Sequence, residues 1–181
     1  YSNLLLKRAE KVVALDTDSS ALDTLLRQTP VPLRKKLVLK SHDATKKLPF
    51  KDSFFDGIFC TGTFHMCGLA FLQSVFAEIA RVIKQNGMLI FDFAADIKRV
   101  LPDGALYKYD DKSIYGKLTE QGSEPDYKLE PAKNMLKQLL IQNNFEIENL
   151  ITTKVSEEPE IAEGHEVIFS CNFLLISATK K

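Results

Sequence analysis

KVVALDTDSSALDTLL, residues 11–26, decides the fold. Val12 to Leu15 is too short and too uniformly apolar for a helix, so it reads as a strand buried on both faces, with Asp16 at its carboxyl end. Leu22, Leu25 and Leu26 then recur at helical spacing, and Asp18, Ser19 or Ser20 can accept hydrogen bonds from the first free amides of that helix. The unit is a strand, an acid and a capped helix.

Downstream, further short strands ending near acids alternate with helices. After the helix of residues 19–28, Pro30 and Pro32 break the pattern, Arg34 to Lys36 make a basic turn, and Leu37 to Leu39 form a second short strand with Asp43 soon after it. Residues Lys51 to Ser53 mark a turn, and Phe55 to Cys60 form a third apolar strand that exits through Thr61 and Gly62. Leu72, Val75, Phe76, Ile79, Val82 and Ile83 share one face of a helix over 69–84. QNG at 85–87 tolerates a left-handed turn, and MLIFDF at 88–93 is a further strand carrying Asp92 near its end. Alternating strands and helices predict an α/β domain whose mainly parallel sheet is covered on both faces by right-handed crossovers.

Residues 95–131 lose that regularity and hold four of the five tyrosines, Tyr107, Tyr109, Tyr115 and Tyr127. A long irregular stretch of this kind is either a substrate cap or a surface excursion whose tyrosines pack on the sheet. Pro131 opens a helix through Asn143 with Met135, Leu136, Leu139 and Leu140 inside, and Asn144 is a left-handed stop. FEIENLITTKV (145–155) and HEVIFSCNFLLISATK (165–180) end the chain as strands, joined by the acidic EEPEIAEG, which suits either an antiparallel hairpin or an exposed insertion. Neither a repeat nor a second domain boundary is visible, so residues 1–181 are expected to form a single domain.

Composition narrows the partners. The 181 residues are 45% apolar, and 24 basic residues balance 24 acidic ones, so no global field draws the protein to nucleic acid or anionic lipid. The basic residues from Arg34 to Lys51 read as a solvated turn. Cys60, Cys67 and Cys171 lack paired metal-ligand spacing and suit buried thiols in a reducing compartment, so no metal site is expected. With no apolar run of membrane-spanning length and no secretory order at the start, the expected location is cytoplasmic. The first residue is Tyr1, and Leu4 to Leu6 already belong to an amphipathic helix running into Arg8, so the chain opens in mid-structure.

VVALDTDSSAL (12–22), HDATKKLPFKDSFFDGIFCTGTFHM (42–66) and EIARVIKQNGMLIFDF (78–93) together resemble class I S-adenosylmethionine-dependent methyltransferases, in particular the small-molecule enzymes with the type 11 methyltransferase domain. The resemblance covers most of residues 1–100, weakens through the tyrosine-rich stretch and returns faintly in NMLKQLLIQNNFEI and the last strand. It implies a Rossmann-like, doubly wound sheet with an antiparallel C-terminal strand. It also implies S-adenosylmethionine as cofactor, a small-molecule methyl acceptor and no required metal.

A carboxylate at a strand tip can accept hydrogen bonds from both hydroxyls of a ribose. Asp16 is therefore the candidate ribose ligand, with a bare turn or cap role as its alternative, and the resemblance puts Thr17 beside it on the adenine or ribose edge. The resemblance also places Asp43 and Ala44 at the adenine, where an amine donor needs an acceptor; an Asx-turn is the alternative for Asp43. Asp56, at the entry of its strand, reads as structural. Cys60, Thr61 and Gly62 match the loop that passes the methionine part of the cofactor and the reactive methyl. His65 is the candidate general base, against a packed or surface histidine.

Three departures stand out. KQNG replaces the commoner Lys-Pro-Gly-Gly, and NNF replaces a Gly-Phe helix exit; Asn tolerates positive φ in both places. The family's glycine-rich loop and the strand before it are absent from the chain as given, which would leave two inner strand edges unpaired. Residues upstream, with a strand ending in a Gly-x-Gly-type turn, are therefore expected in the native protein. Two rival functions follow from the same residues. One is a methyltransferase-like binding or scaffold subunit without turnover, and the other is a nicotinamide-dependent oxidoreductase, which also uses an acid at a strand tip.

Overall fold

The computed structural model describes residues 2–103, 105, 127–156, 159–162 and 164–181. They divide into two compact units, Tyr1–Pro49 and Phe50–Lys181.

In the first unit the order is α1 (Ser2–Arg8), β1 (Val12–Asp16), α2 (Ser19–Gln28), α3 (Val31–Arg34) and β2 (Leu37–Ser41). β1 and β2 pair in parallel, from Val12 opposite Leu37 to Asp16 opposite Ser41, so β2 runs two residues past its expected end. Val12 to Leu15 are half-buried rather than buried, because β1 has a single strand partner among the described residues. Asp18 is the N-cap of α2: its Oδ1 accepts the Ser20 amide at 2.8 Å and the Ser20 hydroxyl at 2.7 Å. At the other end the Thr29 hydroxyl donates to the Leu25 carbonyl at 2.7 Å, closing the helix on a buried side chain. The proline pair does not open into a turn. Pro30 is the N-cap of α3 and Pro32 lies in its first turn, where a proline lacks nothing that the helix needs. Lys36 crosses back to donate to the carbonyls of Leu6 and Ala9, neutralising the negative end of α1.

The second unit contains β3 (Phe55–Cys60), the 3₁₀ turn η1 (Phe64–Met66), α4 (Leu69–Val82), β4 (Ile83–Val100), α5 (Leu129–Gln142), β5 (Phe145–Ser156), β6 (Glu160–Ala162) and β7 (His165–Lys180). Its sheet has the order β3-β4-β7-β5, with β6 paired to β7. β3 and β4 are parallel, and β7 runs antiparallel to β4 and to β5. β3, β4, β5 and β6 thus share one direction and the C-terminal strand opposes them, as expected. The acidic linker contributes β6, so it takes the hairpin alternative.

Boundaries differ from the sequence expectations for local reasons. α4 ends at Val82, because Ile83 already pairs with Phe55. The chain then swings through Asn86, at φ 63°, before Met88 resumes the ladder opposite Gly57. A Cβ on Gly87 would stand 2.7 Å from Ile83 Cγ1 and 2.8 Å from the Lys84 carbonyl oxygen, so only glycine fits there. β4 continues to Val100 instead of losing order at 95, with a register shift between Ala95 and Lys98 where Asp96 takes φ 50°. The Asp96 amide donates to the Tyr127 carbonyl at 2.7 Å. Tyr107, Tyr109 and Tyr115, with most of the expected cap, lie outside the described residues. α5 starts at Leu129, two residues early, which puts Pro131 within its first turn. Asn144 stops it at φ 61°.

The core of this unit joins Leu72, Val75, Phe76 and Ile79 of α4 and Leu136, Leu139 and Leu140 of α5 to Leu89, Phe91 and Phe93 of β4 and Leu174 and Ile176 of β7. Phe64, Phe76 and Phe91 meet ring against ring at centroid distances of 5.2 to 5.4 Å. Each such ring contributes roughly 1.5–3 kcal/mol by leaving water. Burying Phe64 also pins η1 directly beyond the tip of β3.

Candidate functional site

In the first unit, two acids follow the carboxyl ends of two parallel strands. Asp16 is exposed at the tip of β1. Its Oδ1 accepts the Asp18 amide at 2.9 Å, and its carbonyl accepts the His42 amide at 2.9 Å, tying the ends of β1 and β2 together. Because Asp18 supplies the helix cap, Asp16 is not spent on capping. Among the described residues its Oδ2 accepts no hydrogen bond, and Thr17 is exposed beside it. Asp43 lies just past β2 and forms the Asx-turn: its Oδ1 accepts the Thr45 hydroxyl at 2.7 Å and the Thr45 amide at 2.8 Å. The Thr45 hydroxyl above all, then the Thr45 amide, hold its pKa below the usual carboxylate value. Both bonds use one oxygen, and Ala44 is half-buried within the turn.

In the second unit, Cys60 ends β3 opposite Phe91. Burial pushes its thiol up to about 11, and the charge of Asp92 adds to that rise. Thr61 accepts a hydrogen bond at its carbonyl from the Thr63 hydroxyl, 3.0 Å away. Gly62 has φ 65°, and a Cβ there would meet nothing within 4 Å, so the glycine serves the left-handed turn. Its amide donates to Asp92 Oδ1 at 2.7 Å. Asp92 was visible in the sequence as an acid near a strand end, the signal that singled out Asp16, yet its bond to a glycine thirty positions earlier was not.

His65 lies on η1, its ring edge-on to Phe93 with centroids 6.3 Å apart. Tyr127 packs on the same Phe93 at 4.9 Å and donates its hydroxyl to the Cys67 carbonyl at 2.7 Å. Burial raises the Tyr127 pKa, so this phenol stays a protonated donor. The second unit thus brings Cys60, Thr61 and Gly62 together with Asp92, and sets His65 edge-on to Phe93. Asp16, Thr17, Asp43 and Ala44 belong to the first unit. At the opposite, amino end of β3, Asp56 pairs with Lys84 at 2.6 Å, a structural role as expected. Among the described residues no cluster of three His, Cys, Asp or Glu could hold a metal ion, and no helix is long and apolar enough to cross a membrane.

Residues 1–91 match the sequence profile described as a methyltransferase domain. No curated protein matches the sequence. Among solved structures, the chain is similar to a proposed methyltransferase of Bacillus halodurans C-125, at 17% identity and TM-score 0.70, covering 99% of this chain and 87% of that one. It is also similar to a SAM-dependent methyltransferase of Methanosarcina mazei, at 20% identity and TM-score 0.61, covering 99% and 86%. A third is geranyl diphosphate C-methyltransferase of Streptomyces coelicolor A3(2), solved with Mg2+, geranyl diphosphate and S-adenosyl-L-homocysteine; identity is 10%, TM-score 0.64, and coverage 98% and 66%. At such identities these likenesses speak for the fold, an α/β Rossmann-like one.

Proposed function

Because this chain belongs to the methyltransferase-domain family, we propose that it transfers the methyl group of S-adenosylmethionine to a small-molecule acceptor, with residues 1–181 acting as one methyltransferase domain. The observation that carries this reading is Asp16: an exposed carboxylate at the carboxyl tip of a parallel strand, with one oxygen committed to its own turn and the other unused among the described residues. That oxygen suits a ribose diol, and Thr17 lines the same edge. Asp43 and Ala44 would receive the adenine, the second Asp43 oxygen accepting from its amine. Cys60, Thr61 and Gly62 would lie along the methionine end.

The residues present fit this cofactor. S-adenosylmethionine supplies a methyl on a positively charged sulfur, already activated for displacement. A thiolate beside it would compete for that methyl, and the high pKa of Cys60 keeps its sulfur protonated and a poor nucleophile. What remains for the chain is to align donor and acceptor and to exclude water. His65 would take a proton from the acceptor where its nucleophile carries one, with Phe93 setting the plane of the imidazole. The balanced charge gives no reason to expect a nucleic-acid partner, and the cysteines Cys60, Cys67 and Cys171, none of them in a disulfide among the described residues, suit a reducing, cytoplasmic setting.

Calorimetric titration with S-adenosylmethionine, S-adenosylhomocysteine and NADH tests this. Saturable binding of the first two that is lost in Asp16→Ala supports it. Saturable binding of NADH in their place would point to an oxidoreductase, and no saturable heat from any of the three would point to a scaffold subunit.

A further inference from the structure

We propose that Asp92 is a positioning residue for the methionine end of the cofactor, holding the Gly62 amide in place and supplying the negative charge that favours a cationic sulfonium over the neutral product. This rests on the methyl-transfer reading above.

The register places the two residues at one edge. Cys60 stands opposite Phe91 on parallel strands, so Asp92 and the Thr61–Gly62 turn both lie just past the point where β3 ends and its pairing with β4 stops. In an open α/β sheet, ligands bind outside the carboxyl ends of the strands. A bond of 2.7 Å from a backbone amide to a carboxylate is short and charge-assisted, roughly twice as strong as a neutral one. It fixes a turn that already depends on the positive φ of Gly62.

Fixing a turn does not by itself call for a charge, since an amide or hydroxyl oxygen would accept the same bond. Among the described residues no lysine or arginine forms an ion pair with Asp92, so its charge is not cancelled by a cation. That charge reaches the tip of β3, where it adds to the rise in the Cys60 pKa. Half-exposed at this edge, Asp92 presents a field suited to a positive ligand group. S-adenosylmethionine and S-adenosylhomocysteine differ there by one methyl and one positive charge, so a fixed carboxylate should tell them apart.

The test is calorimetric titration of the full chain and of two variants with each of the two compounds. Asp92→Asn keeps an oxygen for the Gly62 amide and removes the charge. It should weaken S-adenosylmethionine about tenfold while changing S-adenosylhomocysteine by less than about twofold, the scale expected for one charge at a partly solvated edge. Asp92→Ala, which removes the bond as well, should weaken both. Melting curves without ligand check folding, and if the Ala variant fails to fold, the Asn variant still decides. Equal weakening of both compounds by Asp92→Asn, or no weakening, overturns the proposal while leaving methyl transfer standing. A wild-type chain that binds neither compound overturns both.

Discussion

Asp16 accepts the amide of Asp18 at 2.9 Å, and this bond divides the labour between two acids two positions apart. Asp18 faces the helix and Asp16 the strand tip. Asp18→Ala should therefore lower stability, as the loss of an N-cap does, with cofactor affinity nearly unchanged. Asp16→Ala should do the opposite, leaving the melting temperature close to wild type and weakening S-adenosylmethionine by tenfold or more. Chemical denaturation and calorimetry on the two variants would expose any mixing of the roles.

Acid should unfold the chain partly through its turn carboxylates. The pKa values of Asp18, Asp43 and Asp56 are held below the ordinary 3.8, by Ser20, Thr45 and Lys84 respectively. A carboxylate whose folded pKa is depressed adds stability that is fully present above its unfolded value and is lost as pH falls through the folded one. The melting temperature should thus drop below about pH 4, and less steeply in the Asp18→Asn, Asp43→Asn double variant. An identical acid limb in that variant would show that these bonds contribute nothing.

Cys60 should be a slow thiol. With its pKa at about 11, the thiolate fraction at neutral pH is minute. Iodoacetamide should label it far more slowly in the folded chain than in urea, as read by mass spectrometry of the peptide. Cys60→Ser should keep cofactor binding within a few-fold. Rapid labelling of the native protein would contradict the proposed protection of this sulfur.

Gly87→Ala should destabilise the second unit by roughly 1–3 kcal/mol, the usual cost of forcing a methyl into a filled space. The contacts involved are Ile83 and the carbonyl of Lys84. Asn86→Gly should be nearly neutral by comparison, since glycine adopts the φ of 63° freely. Urea denaturation of the pair separates crowding from backbone strain.

Most of this fold was legible because its signals are local. Short apolar runs ending near acids, Asp18 before Leu22, and Asn86 and Asn144 at left-handed positions all rest on neighbours within a few residues. The same locality explains the errors. Nothing near Lys84 tells that Ile83 will pair with Phe55, nor does the stretch after Phe93 announce that β7 is long enough to keep β4 in register to Val100. Pro32 looked like a breaker because its tolerance depends on falling in a first turn. Within the candidate site, Asp16 could be found from its place after an apolar run. The bond from Gly62 to Asp92 spans two strands and a helix, and only the folded chain reveals it.

The bond between Asp96 and Tyr127 fastens the approach to α5 onto the bulge of β4. Lys98 to Val100 still pair with β7 beyond that bulge, so a deletion there would slide the strand against its partner.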